Sequence, residues 1–168
     1  MLTSAAMNCY VLTGGRSSRM GRSKRALFFE RVAAAARAVF DDVITVDRAE
    51  GEKAPIFGVA RALRDAQENA FILAVDYPLI TSDVLRFLAT RGGVAMWNGE
   101  PQLLCAVWHR ALLPEIEQRI AIERFDLRGL NKRDMIPEVE LRRRFGGEPL
   151  MNVNTPEELA EAERLYGG

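Results

Sequence analysis

Short unbroken apolar runs alternate along this chain with longer segments in which apolar residues recur every three or four positions. Residues 8–13 (NCYVLT) form the first run, which stops at Gly14-Gly15 and reads as a buried strand feeding a loop. Residues 30–40 follow as a largely apolar helix whose alanines, Val32, Val39 and Phe40 suit packing on a sheet. VITV at 43–46 predicts a second strand. Residues 56–68 set Phe57, Ala60, Leu63 and Ala66 on one helical face and most of the charges elsewhere. FILAV at 71–75 is a continuous apolar strand of the kind covered on both faces, and it ends at Asp76.

Residues 81–91 predict a helix, and 94–97 and 103–108 two strands separated by the turn-forming Asn98-Gly99-Glu100-Pro101. Pro114 fits the first turn of a helix reaching about residue 122. In the charge-rich stretch 124–147 the pattern suggests a short helix at 127–132 and a strand at 137–141. Thr155-Pro156-Glu157-Glu158 then supplies an N-cap, a first-turn proline and a glutamate three residues after the cap, opening a last helix that runs to about Tyr166. Alternating strands and helices predict a three-layer α/β/α, Rossmann-like domain with a mostly parallel sheet, and in such sheets ligands bind at the carboxyl ends of strands. Two strand ends carry unusual residues: Thr13-Gly14-Gly15 and Asp76-Tyr77-Pro78.

A length of 168 residues suits one domain spanning 1–168. Lys plus Arg and Asp plus Glu both number 23, so no overall field draws the chain to nucleic acid or an anionic membrane. No apolar run reaches the ~18 residues of a membrane span, and the opening residues lack the basic and apolar regions of a signal peptide. A cytoplasmic protein is expected. Cys9 and Cys105 both lie in apolar runs and read as reduced core residues.

Against that neutral background, Arg16, Arg19, Arg22, Lys24 and Arg25 crowd into ten residues that contain no acid. Gly14, Gly15 and Gly21 let the backbone approach a ligand and turn N–H groups inward, an anion nest that the cations reinforce. A polyphosphate fits. At an effective dielectric near 20, one such charge 4 Å from a phosphate oxygen is worth roughly 4 kcal/mol before desolvation. The spacing is neither a Walker loop nor a G-x-G-x-x-G fingerprint.

LTGGRSSRMGRSKRAL (12–27) resembles the L-x-G-G-x-S-x-R-M-G-x-x-K loop of the molybdenum cofactor guanylyltransferase family. APIFGVARAL (54–63) is similar to that family's G-P-L-x-G-I segment, AVDYPLI (74–80) to its D-x-P-x-I strand end, and NVNTPEEL (152–159) to its N-I-N-T-P-E-D-L. The resemblance implies a Mg²⁺-dependent nucleotidyltransferase that moves GMP from GTP to molybdopterin with release of pyrophosphate. It implies nucleotide binding by Leu12, Gly14, Gly15, Ser17, Arg19, Gly21, Lys24, Pro55, Gly58 and Asp76. Arg19, Lys24 and Asp76 would carry catalysis, Asp76 would bind the metal, and Asn152 and Asn154, pointing the same way from a strand, would bind molybdopterin. Gly14, where cytidylyl-transferring relatives carry alanine, favours guanine. Proteins that deliver the cofactor to molybdoenzymes are possible partners. Other readings are a nucleotidyltransferase with another base or acceptor and a nucleotide-binding carrier without turnover.

The chain departs from the family pattern in two places. It lacks a G-x-P turn after the lysine loop, and residues 47–53 are short and leave Asp47, Glu50 and Glu52 as open choices for a base contact. Arg142-Arg143-Arg144 read as exposed, with the pterin phosphate as the alternative partner. His109, the sole histidine, reads as structural or solvent-facing.

Overall fold

In a computed structural model the backbone is described for residues 7–13 and 22–166. β1 (Asn8–Leu12), α1 (Arg22–Arg37), β2 (Val43–Val46), α2 (Ile56–Asp65), β3 (Asn69–Ala74), α3 (Ser82–Arg91), β4 (Val94–Trp97), β5 (Glu100–His109), α4 (Leu113–Ala121), β6 (Met135–Ile136), α5 (Glu138–Phe145) and α6 (Pro156–Tyr166) follow in order. The strands make one six-stranded sheet in the order β2-β1-β3-β5-β4-β6. β5 runs antiparallel to both its neighbours, and the remaining pairings are parallel.

Side-chain alternation along the strands produces the three layers, because successive residues point to opposite faces. Cys9, Val11, Phe71, Leu73, Cys105 and Val107 join α1, α3 and α5 in one core through Val32, Ala36, Leu85, Leu88 and Leu141. Tyr10, Leu12, Ile72, Ala106 and Trp108 join α2 and α4 in the other through Ile56, Val59, Leu63 and Ile116. Cys9 and Cys105 are free thiols, fully buried, and burial pushes both thiols well above their ordinary range. Among the described residues no helix is long and apolar enough to cross a membrane.

Several elements differ from the sequence-based expectation. α1 begins at Arg22 rather than residue 30, since Phe28 already packs inward at helical spacing before Val32 and Ala36. α2 turns Ile56, Val59, Ala60, Ala62 and Leu63 inward and stops at Asp65, leaving Phe57 at the rim and Ala66 extended. β5 starts at Glu100, and Asn98 and Gly99 with φ of 51° and 76° form the tight turn back from β4. Pro101 is tolerated because β3 pairs only with residues 105–109 of β5, so one side of the strand needs no N–H donor there.

Residues 127–132 are a turn, not a helix. The guanidinium of Arg119 donates to the carbonyls of Asp126 and Arg128 at 3.1 and 2.8 Å and holds this stretch as a loop. The expected strand at 137–141 is helix α5. Pro137 caps it, Glu138 and Glu140 open it, three arginines close it, and Arg142 Nε meets Glu138 at 2.8 Å one turn away. Leu141 alone is buried on α5, which left no apolar period to read. Arg142 and Arg144 are exposed but stack over Trp97 and Phe87 at 4.2 and 4.5 Å.

β4 and β6 meet tightly at Gly93, where an added Cβ would lie 2.6 Å from the Asp134 carbonyl oxygen and 2.9 Å from Ile136. Backbone cannot yield as a side-chain tip can. Gly93→Ala is expected to cost about 2 kcal/mol by overpacking, read as a fall of roughly 4–8 °C in Tm by thermal unfolding.

Candidate active site

The parallel register of β1, β2 and β3 brings their carboxyl ends together, with Leu12 opposite both Val46 and Ala74. Beyond those ends the chain is tied across strands: Val75 N–H donates to the Leu12 carbonyl at 3.3 Å, and Thr13 N–H to that of Val46 at 3.2 Å. The Thr13 hydroxyl donates to the Asp47 carboxylate, joining the ends of β1 and β2.

Asp76 sits in the turn just past β3 and is half-buried. Its carbonyl accepts the N–H of Val153 at 2.8 Å, lashing the segment 151–154 to the end of β3. Val153 is fully buried, so the chain's alternation turns Asn152 and Asn154 to the other side, where Asn154 Nδ2 donates to Asn152 Oδ1. The expected strand at these asparagines is absent. The segment is extended, but a single backbone bond to a turn makes no ladder.

Asn152 also stands close to Tyr77, whose phenol donates to Gln102 Oε1 at 2.9 Å. Burial pushes the Tyr77 phenol well above its ordinary range, Cys105 and Asp76 add to the rise, and Asn152 opposes it. Asp76, Tyr77, Asn152 and Asn154 therefore form one connected patch.

The chain after Asn154 is fixed by a capping box. Thr155 Oγ1 accepts from Glu158 N–H at 3.1 Å while the Glu158 carboxylate accepts from the N–H groups of Asn154 and Thr155 at 2.6 and 3.2 Å. Thr155 is thus the cap that the sequence predicts. Behind it Phe28 of α1, Val153, and Leu159 and Ala162 of α6 make a small separate core.

Gly14, Gly15, Arg16, Ser17, Arg19 and Gly21 lie outside the described residues. Lys24 is placed in the first turn of α1, one turn before Phe28, with its backbone alone described. That first turn contains no acidic residue, so nothing of negative charge competes for the N–H groups a helix start offers to an anion. The predicted loop therefore leaves the end of β1, beside Asp76, and returns into a helix N-terminus.

Leu12, Pro55 and Gly58 come together on one cavity of about 20 Å³ with Val46, Arg48, Glu52, Ala54 and Arg61. A Cβ on Gly58 would stand 3.0 Å from Leu12 Cδ2, so glycine lets α2 approach the end of β1. Glu52 and Arg61 were not singled out as a pair by sequence, yet Arg61 Nη2 donates to Glu52 Oε2 at 2.5 Å, and Ala49 N–H reaches the same oxygen at 3.0 Å. Their nine-residue separation spans a turn and a helix start, which leaves no periodic signal.

Among the described residues no three His, Cys, Asp or Glu side chains gather as a metal cluster. The half-buried Asp76 at the end of β3 still fits Mg²⁺, which keeps several waters and takes one or two carboxylates plus substrate phosphates. His109 lies at the opposite end of the strands from the site, paired in register with Asn69 at the start of β3, where its Nδ1 accepts from Ala111 N–H at 3.0 Å. It caps a turn.

A protein-family model described as MobA-like NTP transferase domain matches residues 31–135, from α1 to β6. The probable molybdenum cofactor guanylyltransferase of Aquifex aeolicus is 30% identical, covering 90% of this chain and 87% of that protein. The molybdenum cofactor guanylyltransferase of Rhizobium johnstonii is 29% identical over 92% of this chain and 90% of its own. Among solved structures, molybdopterin-guanine dinucleotide biosynthesis protein A from Archaeoglobus fulgidus superposes with a TM-score of 0.72 at 21% identity, over 96% of this chain and 99% of that one. The 2-C-methyl-D-erythritol 4-phosphate cytidylyltransferase of Thermus thermophilus superposes at 0.62 and 16% identity, over 98% of each chain. These two structures share the three-layer fold described above. The chain belongs to the MobA-like NTP transferase domain family.

Proposed function

We propose that this protein transfers GMP from GTP to molybdopterin and releases pyrophosphate. The observation that carries the reading is the backbone bond from Val153 to Asp76, which sets the paired asparagines beside Asp76 at the carboxyl ends of β1 and β3. Donor and acceptor would meet there. Asn152 and Asn154 would orient the pterin, and the loop from Gly14 to Gly21 with Arg19 and Lys24 would hold the triphosphate and neutralise the departing pyrophosphate.

The attacking group needs little activation. A terminal phosphate monoester has a second pKa near 6 and is largely dianionic at pH 7, so no histidine or thiol base is required. Asp76 would hold Mg²⁺, which when bound supplies Lewis-acid neutralisation of the phosphate oxygens. The chain's own work is positioning: attacking oxygen, α-phosphorus and leaving oxygen in line.

A thermal-shift panel with Mg²⁺ and GTP, ATP or CTP tests the base preference. GTP at 100 times its Kd is expected to add about 2.7 kcal/mol to stability and to raise Tm more than either other nucleotide. A larger shift with CTP would contradict the guanylyl reading.

A further inference from the structure

At the other end of the strands from Asp76, a cavity of about 330 Å³ opens between the end of β5, the start of α4 and the segment 130–133. Asn131 Nδ2 pins that segment to the Val107 carbonyl of β5 at 2.9 Å. The Arg133 guanidinium donates to the Gly92 carbonyl at 3.2 Å and to Asn69 Oδ1, at the start of β3, at 2.8 Å. Roughly 20 Å of extended chain separates Asn69 from Asp76, so the cavity is distinct from the candidate active site.

These bonds leave charge and polarity on the cavity wall unanswered. Arg133 is half-buried, and its partners among the described residues are neutral oxygens. Burial pulls its guanidinium below the ordinary arginine range, as expected of a cation withdrawn from water with no anion beside it. Lys132, exposed on the same wall, has no ion pair or hydrogen bond among the described residues. Asn131 is 4% exposed, and its Oδ1 has no partner, a condition that native proteins leave to few buried acceptors.

The remaining polar groups on the wall are engaged. Glu115 stands 3.6 Å from Arg119 Nη2. His109 turns Nε2 toward Glu68 at 3.6 Å and Nδ1 to the Ala111 N–H. Ala111, Leu112 and Leu130 supply apolar surface.

We propose that this cavity is a second ligand site, taking a small phosphate monoester that carries a hydroxyl. Lys132 and Arg133 would hold the phosphate, the carbon skeleton would lie on Leu112 and Leu130, and the hydroxyl would donate to Asn131 Oδ1. Two unpaired cations match a monoester that is largely dianionic at pH 7, whereas a carboxylate would answer only one of them. The volume lies at the lower end of small-molecule sites and leaves a bare phosphate ion most of its surroundings empty.

His109 is the sole histidine, so its imidazole C–H signals in a carbon–proton correlation spectrum of the full, untagged chain report on this cavity and not on the nucleotide end. Glycerol 3-phosphate at fixed pH is expected to shift them saturably, and sodium chloride of equal ionic strength is not. Propyl phosphate lacks the hydroxyls and inorganic phosphate lacks the skeleton, and each should bind about tenfold more weakly. Lys132→Ala removes no bond that the fold uses and should weaken glycerol 3-phosphate about tenfold or more, the range for losing a hydrogen bond to a charged group.

No saturable shift with glycerol 3-phosphate, or an unchanged affinity in Lys132→Ala, would overturn the site. Propyl phosphate binding as tightly as glycerol 3-phosphate would overturn the role of Asn131. Inorganic phosphate binding as tightly would overturn the assignment to an organic ligand.

Discussion

Asp76→Asn is expected to reduce pyrophosphate release by about a hundred- to a thousandfold, the usual effect of deleting one preorganised electrostatic group from an active site. The substitution keeps the side chain's size and shape. It also leaves intact the bond to Val153, which uses the Asp76 backbone carbonyl and not its carboxylate. Thermal unfolding of the variant confirms that it is folded. A pyrophosphate-release assay on the folded variant reads the effect, and activity near that of the unaltered protein would reject a metal-binding role for Asp76.

Phe28→Ala should give the largest loss of stability among residues near the site. Phe28 is 4% exposed and fills the small core formed with Val153, Leu159 and Ala162. Removing a buried phenyl ring costs about 3–5 kcal/mol, and at this chain length that is a fall of roughly 6–20 °C in Tm. The same core supports the asparagine segment from behind. Since Val153 loses packing while Asn152 and Asn154 keep their chemistry, the Michaelis constant for the acceptor should rise more than that for GTP. Steady-state kinetics at a temperature where the variant is folded separates the two, and an equal rise in both would contradict this positioning role.

The sheet was legible because five of its strands contain apolar runs, of which β1, β3 and β4 end in turn formers, at Gly14, Asp76 and Asn98-Gly99. The antiparallel course of β5 was not, since run length says nothing of direction. Residues 124–147 misled for a different reason. Arg119 holds its loop through backbone carbonyls seven and nine residues away, and α5 buries Leu141 alone, so neither leaves a hydrophobic period.

At the site, the crowding of glycines and cations between 14 and 25 predicts an anion, and the spacing of Asn152 and Asn154 predicts that they face the same way. What holds them, a backbone bond to Asp76 some 77 residues earlier, has no trace in side-chain identity. The pairing of Glu52 with Arg61 is equally silent, because ion pairs between a loop and a helix follow no repeat.

The most direct test is to incubate the protein with molybdopterin, Mg²⁺ and either GTP or CTP, and to follow pyrophosphate and the dinucleotide product by mass spectrometry. The account predicts the guanine dinucleotide and pyrophosphate in equal amounts from GTP, with little from CTP. A cytosine product in excess, or tight GTP binding with no transfer, would contradict it.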